Sequence, residues 1–257
     1  MSNPTESLPD RITLTEGYSG RLSGRLTGER WTVGPARLSK ISVGEMDNNV
    51  YVIESTDTGA VLLVDAANDA PQLVEHLRDR APGVKEVLTT HLHADHWIGL
   101  AETVEALGLT TIASPGDAAG IDVPTDRHVS HGDELEVGDL RLEVIGLRGH
   151  TPDGIALLLR TDAGTHLFSG DSLFPGGPGK TGSPEDFTTL MDDLESRAST
   201  SSTTTWWSTP DTATTRRSAP SVRTWPSGAT AGGDGRSTRP PTGDPRPRPE
   251  ARAASSH

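Results

Sequence analysis

The sequence contains no cysteine, and this absence excludes several kinds of chemistry at once. Disulfide bonds, thiolate metal ligands and a cysteine nucleophile all require that side chain. Histidine, aspartate and glutamate are therefore the strong metal ligands that the chain offers. Any metal site in this protein must be built from nitrogen and oxygen atoms.

The chain also has little positive charge and no long apolar run. Lys and Arg number 23 against 36 Asp and Glu, which gives a formal net charge of -13. An acidic chain is repelled by nucleic acid and by anionic membranes, so we expect neither as a partner. No run approaches the roughly 20 apolar residues of a membrane-spanning helix. Since the first residues also lack the features of a signal peptide, we expect a cytoplasmic protein with a small-molecule substrate.

Charge and apolar residues are unevenly distributed along the 257 residues. Residues 1–196 carry 32 acidic and 14 basic side chains, whereas residues 197–257 carry 4 and 9. The second segment has no Leu, Ile, Phe or Met, and its single Val is Val222. Such a composition cannot bury enough apolar surface to offset the entropy cost of ordering. We therefore predict an N-terminal extension (residues 1–30), a folded domain (residues 31–196) and a disordered Pro/Arg/Ser/Thr-rich tail (residues 197–257).

The pattern within the folded part alternates between strand and helix, which is typical of an α/β fold. Residues 49–54 and 60–65 are apolar, β-branched runs separated by Asp57-Thr58-Gly59, which predicts a hairpin turn. Residues 71–80 have leucines at helical spacing and Pro71 near the start, which predicts a helix. Further strands are predicted at residues 84–89, 110–113, 155–160 and 166–169, a further hairpin at 135–147, and further helices at 98–107 and 184–196.

Residues 91–96, His-Leu-His-Ala-Asp-His, directly follow the strand predicted at residues 84–89. Side chains two apart in an extended segment point the same way, so His91 and His93 can bind one ion together. Asp95 and His96 come where the chain turns, and they suit a second ion or a metal-activated water. A lone histidine is usually structural, but three histidines and an aspartate within six residues indicate a metal site.

Residues 90–96 resemble the Thr-His-x-His-x-Asp-His signature of the metallo-β-lactamase superfamily, and the resemblance continues downstream. Gly149-His150-Thr151 resembles the segment with the family's third histidine. Residues 169–174, Ser-Gly-Asp-Ser-Leu-Phe, resemble the segment with its bridging aspartate. Asp65, which ends its strand, matches an acidic position that orients ligand imidazoles. The matches span residues 49–196 in the family's order.

This resemblance implies an α/β fold of the metallo-β-lactamase αββα sandwich type, with an incomplete C-terminal part. It also implies that Zn²⁺ binds as one or two ions, with iron possible. The first ion would be held by three histidines, and the second by Asp95 and His96, with Asp171 as the bridge. The complete set of implied metal ligands is His91, His93, Asp95, His96, His150 and Asp171.

The family's last metal-binding histidine is absent from the chain, and its place falls at Asp211-Thr212 in the low-apolar tail. Reading the codons of residues 210–223 one base back permits Pro-Gly-His-Gly, which resembles the segment that supplies this histidine. The same shift permits a stop codon across Gly233 and Asp234. We interpret the tail as the product of a one-base frameshift near Arg197, with a native flexible tail as the alternative.

The resemblance implies a metal-dependent hydrolase of the glyoxalase II-like branch. A metal-activated hydroxide would cleave an ester, thioester or amide bond, with Asp95 as the catalytic residue that positions the water. The sequence shows no counterpart of that branch's glutathione-binding helical domain, so the resemblance does not identify the substrate. Nor does the sequence indicate an oligomeric state. One alternative is a persulfide dioxygenase-like oxidoreductase with a single iron on His91 or His93, His150 and Asp171. Another is an inactive product of a frameshifted gene.

Overall fold

The computed structural model describes residues 10–198 and the backbone of residues 206–209. The first of its two main sheets has eight strands that neighbour one another in chain order. β2 to β5 are antiparallel, and β5 to β8 run parallel to one another. The strands are β1 (Thr13–Glu16), β2 (Thr27–Val33), β3 (Ala36–Val43), β4 (Asn48–Ser55), β5 (Val61–Val64), β6 (Val84–Leu88), β7 (Thr110–Ala113) and β8 (Arg127–His128).

Turn residues decide where the antiparallel strands reverse. The β4–β5 hairpin turns at Asp57-Thr58-Gly59 as predicted, and Gly59 has a φ of +72°, which glycine adopts without a steric penalty. The β3–β4 hairpin reverses over residues 44–47 and pairs Asn48 with Val43. This reversal places Asn48, the first residue of β4, at the end of the strands that lies near the predicted metal ligands.

Helices connect the parallel strands and cover the outer face of the first sheet. α1 (Ala70–Arg80) has a proline in its first turn and buries Leu73 and Leu77, which confirms the helix predicted at residues 71–80. α2 (Leu100–Leu107) begins two residues later than predicted and ends at Gly108. α3 (Pro115–Ala118) is a single short turn of helix after β7. Across the described residues, no helix is both long and apolar enough to cross a membrane.

A second sheet and one further helix complete the described domain. α4 (Pro184–Asp193) covers the outer face of this sheet, where Leu190 packs against Leu158 and Leu167. A short two-stranded ribbon, β13 (Leu173–Phe174) and β14 (Gly177–Pro178), precedes α4 in the sequence. The second sheet contains β9 (Glu134–Val137), β10 (Leu140–Gly146), β11 (Ile155–Thr161), β12 (Gly164–Phe168) and β15 (Trp206–Thr209).

The largest apolar cluster lies between the two sheets. Leu38 and Ile53 of the first sheet and Leu142 of the second are fully buried members of this cluster. The rings of Tyr51 and Phe168 meet edge to face with centroids 5.3 Å apart, which joins the sheets at their centre. With helices on both outer faces, the layers follow the order helix, sheet, sheet, helix. The predicted αββα sandwich is confirmed.

The structure differs from the predicted boundaries at both ends of the domain. β1 and the first half of β2 pair within the first sheet, although they precede the boundary predicted at residue 31. A helical turn continues α4 from Leu194 to Ala198, two residues beyond the predicted end. β15 pairs parallel to β12, within the segment for which composition predicts no packed structure. Apart from these residues, the predicted tail and its frameshifted segment lie outside the described residues.

Candidate metal centre

Three loops meet at one edge of the sandwich, and together they carry all six predicted ligands. The first loop follows β6, the second joins β10 to β11, and the third follows β12. The backbone N–H of Ile155 donates to the carbonyl of Thr90 at 3.0 Å, which ties the first two loops together. Because strands from both sheets end at this edge, residues as far apart as His93 and His150, which are separated by 57 positions, can share one site.

Asp65 anchors the loop after β6 from beneath. Its buried carboxylate accepts hydrogen bonds from the backbone N–H of Thr90 at 2.7 Å and from the Thr90 hydroxyl at 2.8 Å. The same carboxylate lies 2.9 Å from Nδ1 of His96. An imidazole that donates from Nδ1 keeps the lone pair on Nε2, so Asp65 turns the Nε2 of His96 toward the site.

His91 is a buried ligand candidate. Its Nδ1 lies 2.9 Å from the Thr90 hydroxyl, and its Nε2 has no hydrogen-bond partner among the described residues. Burial, reinforced by the neighbouring imidazoles of His96, His150 and His93, holds the pKa of His91 well below its ordinary value of 6.5. The ring is therefore neutral at pH 7, which is the form that binds a metal.

His93 and His150 face each other across two loops. Nδ1 of His93 lies 3.0 Å from Nε2 of His150, and Nδ1 of His150 lies 2.7 Å from the carbonyl oxygen of Lys180. The carbonyl can only accept, so His150 donates from Nδ1 and keeps a lone pair on Nε2. Burial and the neighbouring His150 lower the pKa of His93. The ring of His93 is thus a neutral nitrogen donor at pH 7.

Gly149 shows why the loop of His150 needs a glycine before the ligand. It has a φ of +117°, and a Cβ built there would lie 2.3 Å from the carbonyl oxygen of Asp186 in α4. Only glycine allows the loop to pack this closely against the helix. The adjacent Arg148 reinforces this contact, since its guanidinium donates to Asp193 at 2.7 and 2.8 Å.

The ligand candidates fall into two overlapping groups. Within each group, one donor atom per residue lies within 4.8 Å of the donor atoms of the others. Asp171 is a member of the second group that also approaches the first, with Oδ1 3.5 Å from Nε2 of His96 and Oδ2 3.8 Å from Nε2 of His150. Asp95 belongs to neither group, and its Oδ2 lies 3.9 Å from Nε2 of His96. The groups are His91 with His93 and His150, and His91 with His96 and Asp171.

The donor atoms of this centre fit a divalent cation. Nε2 of His91 and Oδ1 of Asp171 are buried and have no hydrogen-bond partner among the residues that the structure describes. An unsatisfied buried polar atom costs about 1–3 kcal/mol, and a bound cation would remove that cost at both atoms. Nitrogen and carboxylate donors without sulfur are also a set that zinc accepts.

Asp117 is a supporting residue that sequence analysis missed. Its buried carboxylate accepts from the backbone N–H of Leu92 at 3.1 Å and from that of Asp153 at 2.9 Å. One carboxylate therefore joins the loop of His91 and His93 to the loop of His150. Its local sequence predicts only a helix start, because the bonded residues lie 25 and 36 positions away.

A cavity of about 410 Å³ opens beside Asp95. Its wall includes Arg25, Met46, Asn48 and Asn68. Arg25 forms an ion pair with the nearly buried Asp69. Although burial opposes ionisation, hydrogen bonds from Arg25 and from the backbone of Gly44 hold the pKa of Asp69 below its usual range. This ion pair therefore stabilises the β3–β4 turn at Gly44, whose backbone N–H donates to Asp69 at 2.8 Å.

Curated proteins similar to this chain include hydroxyacylglutathione hydrolases. The protein from Idiomarina loihiensis is 34% identical over 148 residues, which cover 55% of this chain and 54% of the relative. The protein from Rhodobacter capsulatus is 38% identical over 134 residues, which cover 52% and 51%. The chain therefore spans about half the length of the curated relatives it matches.

Solved structures support the same fold. ETHE1 from Myxococcus xanthus is 27% identical with a TM-score of 0.58, over 72% of this chain and 79% of the other. A metallo-β-lactamase from Staphylococcus aureus is 22% identical with a TM-score of 0.59, over 70% and 56%. The family model of the metallo-beta-lactamase superfamily matches residues 43–206, which include both ligand groups and most of both sheets. The chain belongs to the metallo-β-lactamase superfamily.

Proposed function

We propose that this protein is a metal-dependent hydrolase that cleaves the thioester bond of a small acylated thiol. The observation that carries the proposal is the pair of ligand groups that share His91, whose buried Nε2 has no hydrogen-bond partner among the described residues. Relatives named hydroxyacylglutathione hydrolase favour a thioester over an ester or amide. Hydrolysis of such a thioester consumes one water and yields a carboxylic acid and a free thiol.

The ligand set supports one or two zinc ions. His91, His93 and His150 would hold the first ion as three neutral imidazoles, which is the usual minimum for a catalytic zinc site. His96 and Asp95 would hold the second, and Asp171 would lie between the two. When bound, a divalent cation in such a site polarises the scissile carbonyl and lowers the pKa of water to near neutrality.

Two carboxylates of the site would have different roles in the reaction. The carboxylate of Asp95, which is 29% exposed, would accept a hydrogen bond from the attacking water and so direct a lone pair of the water at the carbonyl carbon. Asp65 keeps the Nε2 of His96 turned into the site through its contact with Nδ1. No side-chain nucleophile is needed, which agrees with the absence of cysteine.

Loss of two ligands tests the proposal. Wild-type chain loaded with zinc should release thiol from a hydroxyacylglutathione, and the double variant His91→Ala/His93→Ala should lose both the metal, by elemental analysis, and the activity. The matched control is His128→Ala, since His128 is exposed and lies in neither ligand group. Full metal content in the double variant would refute the assignment of the ligands.

A second candidate is an oxidoreductase with one iron on two histidines and an aspartate. The close approach of His150 Nε2 to both His93 Nδ1 (3.0 Å) and Asp171 Oδ2 (3.8 Å) favours this candidate. In such a site two histidines and one carboxylate bind the iron on one face, and His96 is not one of the ligands. Metal analysis after expression without added zinc separates the two candidates: iron with no thioester hydrolysis supports the oxidoreductase. Neither metal nor activity supports an inactive product.

A further inference from the structure

Asn48 stands at the start of β4, beside the turn that carries Asp95. Its side chain is buried, and its Nδ2 lies 2.8 Å from the backbone oxygen and 2.9 Å from Oδ2 of Asp95. An amide NH₂ group has two hydrogens, so both are donated to the same residue. A carbonyl oxygen in this place would face two acceptors, and the chemistry therefore fixes which way the amide points.

The oxygen that Asn48 holds is the one that faces the metal centre. Oδ2 of Asp95 lies 3.9 Å from Nε2 of His96, which is itself 3.5 Å from Oδ1 of Asp171. A carboxylate oxygen has two acceptor sites, so the hydrogen bond from Asn48 uses one and leaves the other for a cation. Asn48 restricts the rotation of the carboxylate without removing its charge.

The two residues differ in how firmly the fold holds them. Asn48 is paired with Val43 in the first sheet, whereas Asp95 lies in the three-residue helical turn Ala94–His96. The Asp95 side chain is 29% exposed and borders the cavity of about 410 Å³. Open space beside a short turn lets a carboxylate rotate toward water. The bond from a paired strand opposes that rotation.

The geometry points to Asn48 as a positioning residue that aims the carboxylate of Asp95 at the second metal ion. The inference rests on the proposed function in one respect, since it takes Asp95 to be a ligand of that ion. Outer partners of ligand carboxylates are typically worth about 10–100-fold in metal affinity or activity. We expect an effect of that size on the second ion and little effect on the first.

Cobalt(II) titration of the metal-free full chain, followed by visible absorption, tests the inference without an activity assay. Asn48→Ala should weaken the second cobalt equivalent by about 10–100-fold. In an Asp95→Ala background the same change should add less than about threefold, because residues that act through each other are not additive. Asn68→Ala is the matched control, since Asn68 lines the same cavity but accepts from the backbone of Asp69.

Three outcomes would overturn the inference. They are an equal weakening of both cobalt equivalents, the same effect with and without the Asp95 side chain, and a wild-type chain that binds one equivalent only. If the alanine variant does not fold, Asn48→Leu replaces it, since leucine is similar in size to asparagine but has no hydrogen-bond donor. A folded Asn48→Leu chain that binds cobalt as the wild type does would also contradict the inference. Thioester hydrolysis is measured in parallel so that the two proposals can fail separately. If the wild-type chain is inactive but the effects of Asn48→Ala and Asp95→Ala on cobalt affinity are still non-additive, only the proposed function is refuted.

Discussion

The candidate ligands and Asp95 have different proposed roles, the first in holding the metal and the second in directing the reaction. The three histidines of the first candidate ligand group lie close together, whereas Asp95 belongs to neither of the two groups. Its carboxylate faces both the ligands and the cavity. Metal content and turnover should therefore respond differently to changes at these positions.

We expect Asp95→Asn to keep the metal of the first group while lowering turnover by about a hundredfold, since an amide neither binds a cation as strongly nor accepts a proton as a carboxylate does. Elemental analysis and single-turnover thiol release measure the two effects separately. Asp162→Asn, at an exposed hairpin turn, is the control. An unchanged rate in Asp95→Asn would remove Asp95 from the mechanism.

Acid sensitivity should come in part from a histidine outside the metal centre. Burial lowers the pKa of His166 to about 4 from its ordinary 6.5, so the unfolded chain binds more protons between these values. Stability from this group is complete above pH 6.5 and is lost as the pH falls toward 4, by on the order of 3 kcal/mol. Urea unfolding across this range should show a flatter pH dependence in His166→Leu. The exposed His128→Leu should keep the wild-type slope.

At the scale of elements, one short helix links two ligand loops. α3 places the carboxylate of Asp117 where it accepts from Leu92 in one loop and from Asp153 in the other. Asp153 returns the contact, because its carboxylate accepts from the backbone N–H of Gly116 at 2.8 Å. The relative position of His93 and His150 therefore depends on an element that contains no ligand.

Asp117→Ala should lower the free energy of unfolding by about 2 kcal/mol, since two partly buried backbone donors lose their acceptor. Urea denaturation of the metal-free chain measures this loss without a contribution from the ion. Glu105→Ala, on the exposed face of α2, should change stability by less than about 0.5 kcal/mol. Equal stability of the two variants would show that Asp117 does not join the loops.

At the scale of the whole molecule, the site exists only because both sheets end at the same edge. β6 and the loop of His91 belong to the first sheet, whereas His150 and Asp171 follow strands of the second. The chain must bury the cluster between the sheets before these loops can meet. Metal affinity and global stability are thus linked, because a cation that binds only the folded chain stabilises it.

The frameshift hypothesis makes a prediction at this scale. Deleting or inserting one base near codon 197, so that the Pro-Gly-His-Gly reading returns, should raise Tm and the affinity for the second ion together, since the edit supplies apolar residues and an imidazole. Calorimetry and cobalt titration measure both. The same edit placed after codon 224 is the control, because it does not restore that segment. If neither quantity rises, the tail should be treated as native.

Local sequence predicted several of the elements and most of the candidate ligands. Apolar periodicity predicted α1, and a turn triplet predicted the β4–β5 hairpin, because each depends on residues within a few positions of one another. The candidate ligands of residues 91–96 follow from local sequence too, since the geometry of an extended segment places His91 and His93 on one side. The predicted boundary at residue 31 missed β1, whose pairing with β2 is a tertiary contact.

Only the tertiary structure decided which groups meet. It brought His91 into both ligand groups, placed Asp95 outside them, and set Asn48 against a residue 47 positions away. It also joined two loops through Asp117. These contacts depend on strand register and on the packing of two sheets, where a shift of one residue turns a side chain to the other face. The sequence alone therefore predicts the ligand types, while the packed fold determines their partners.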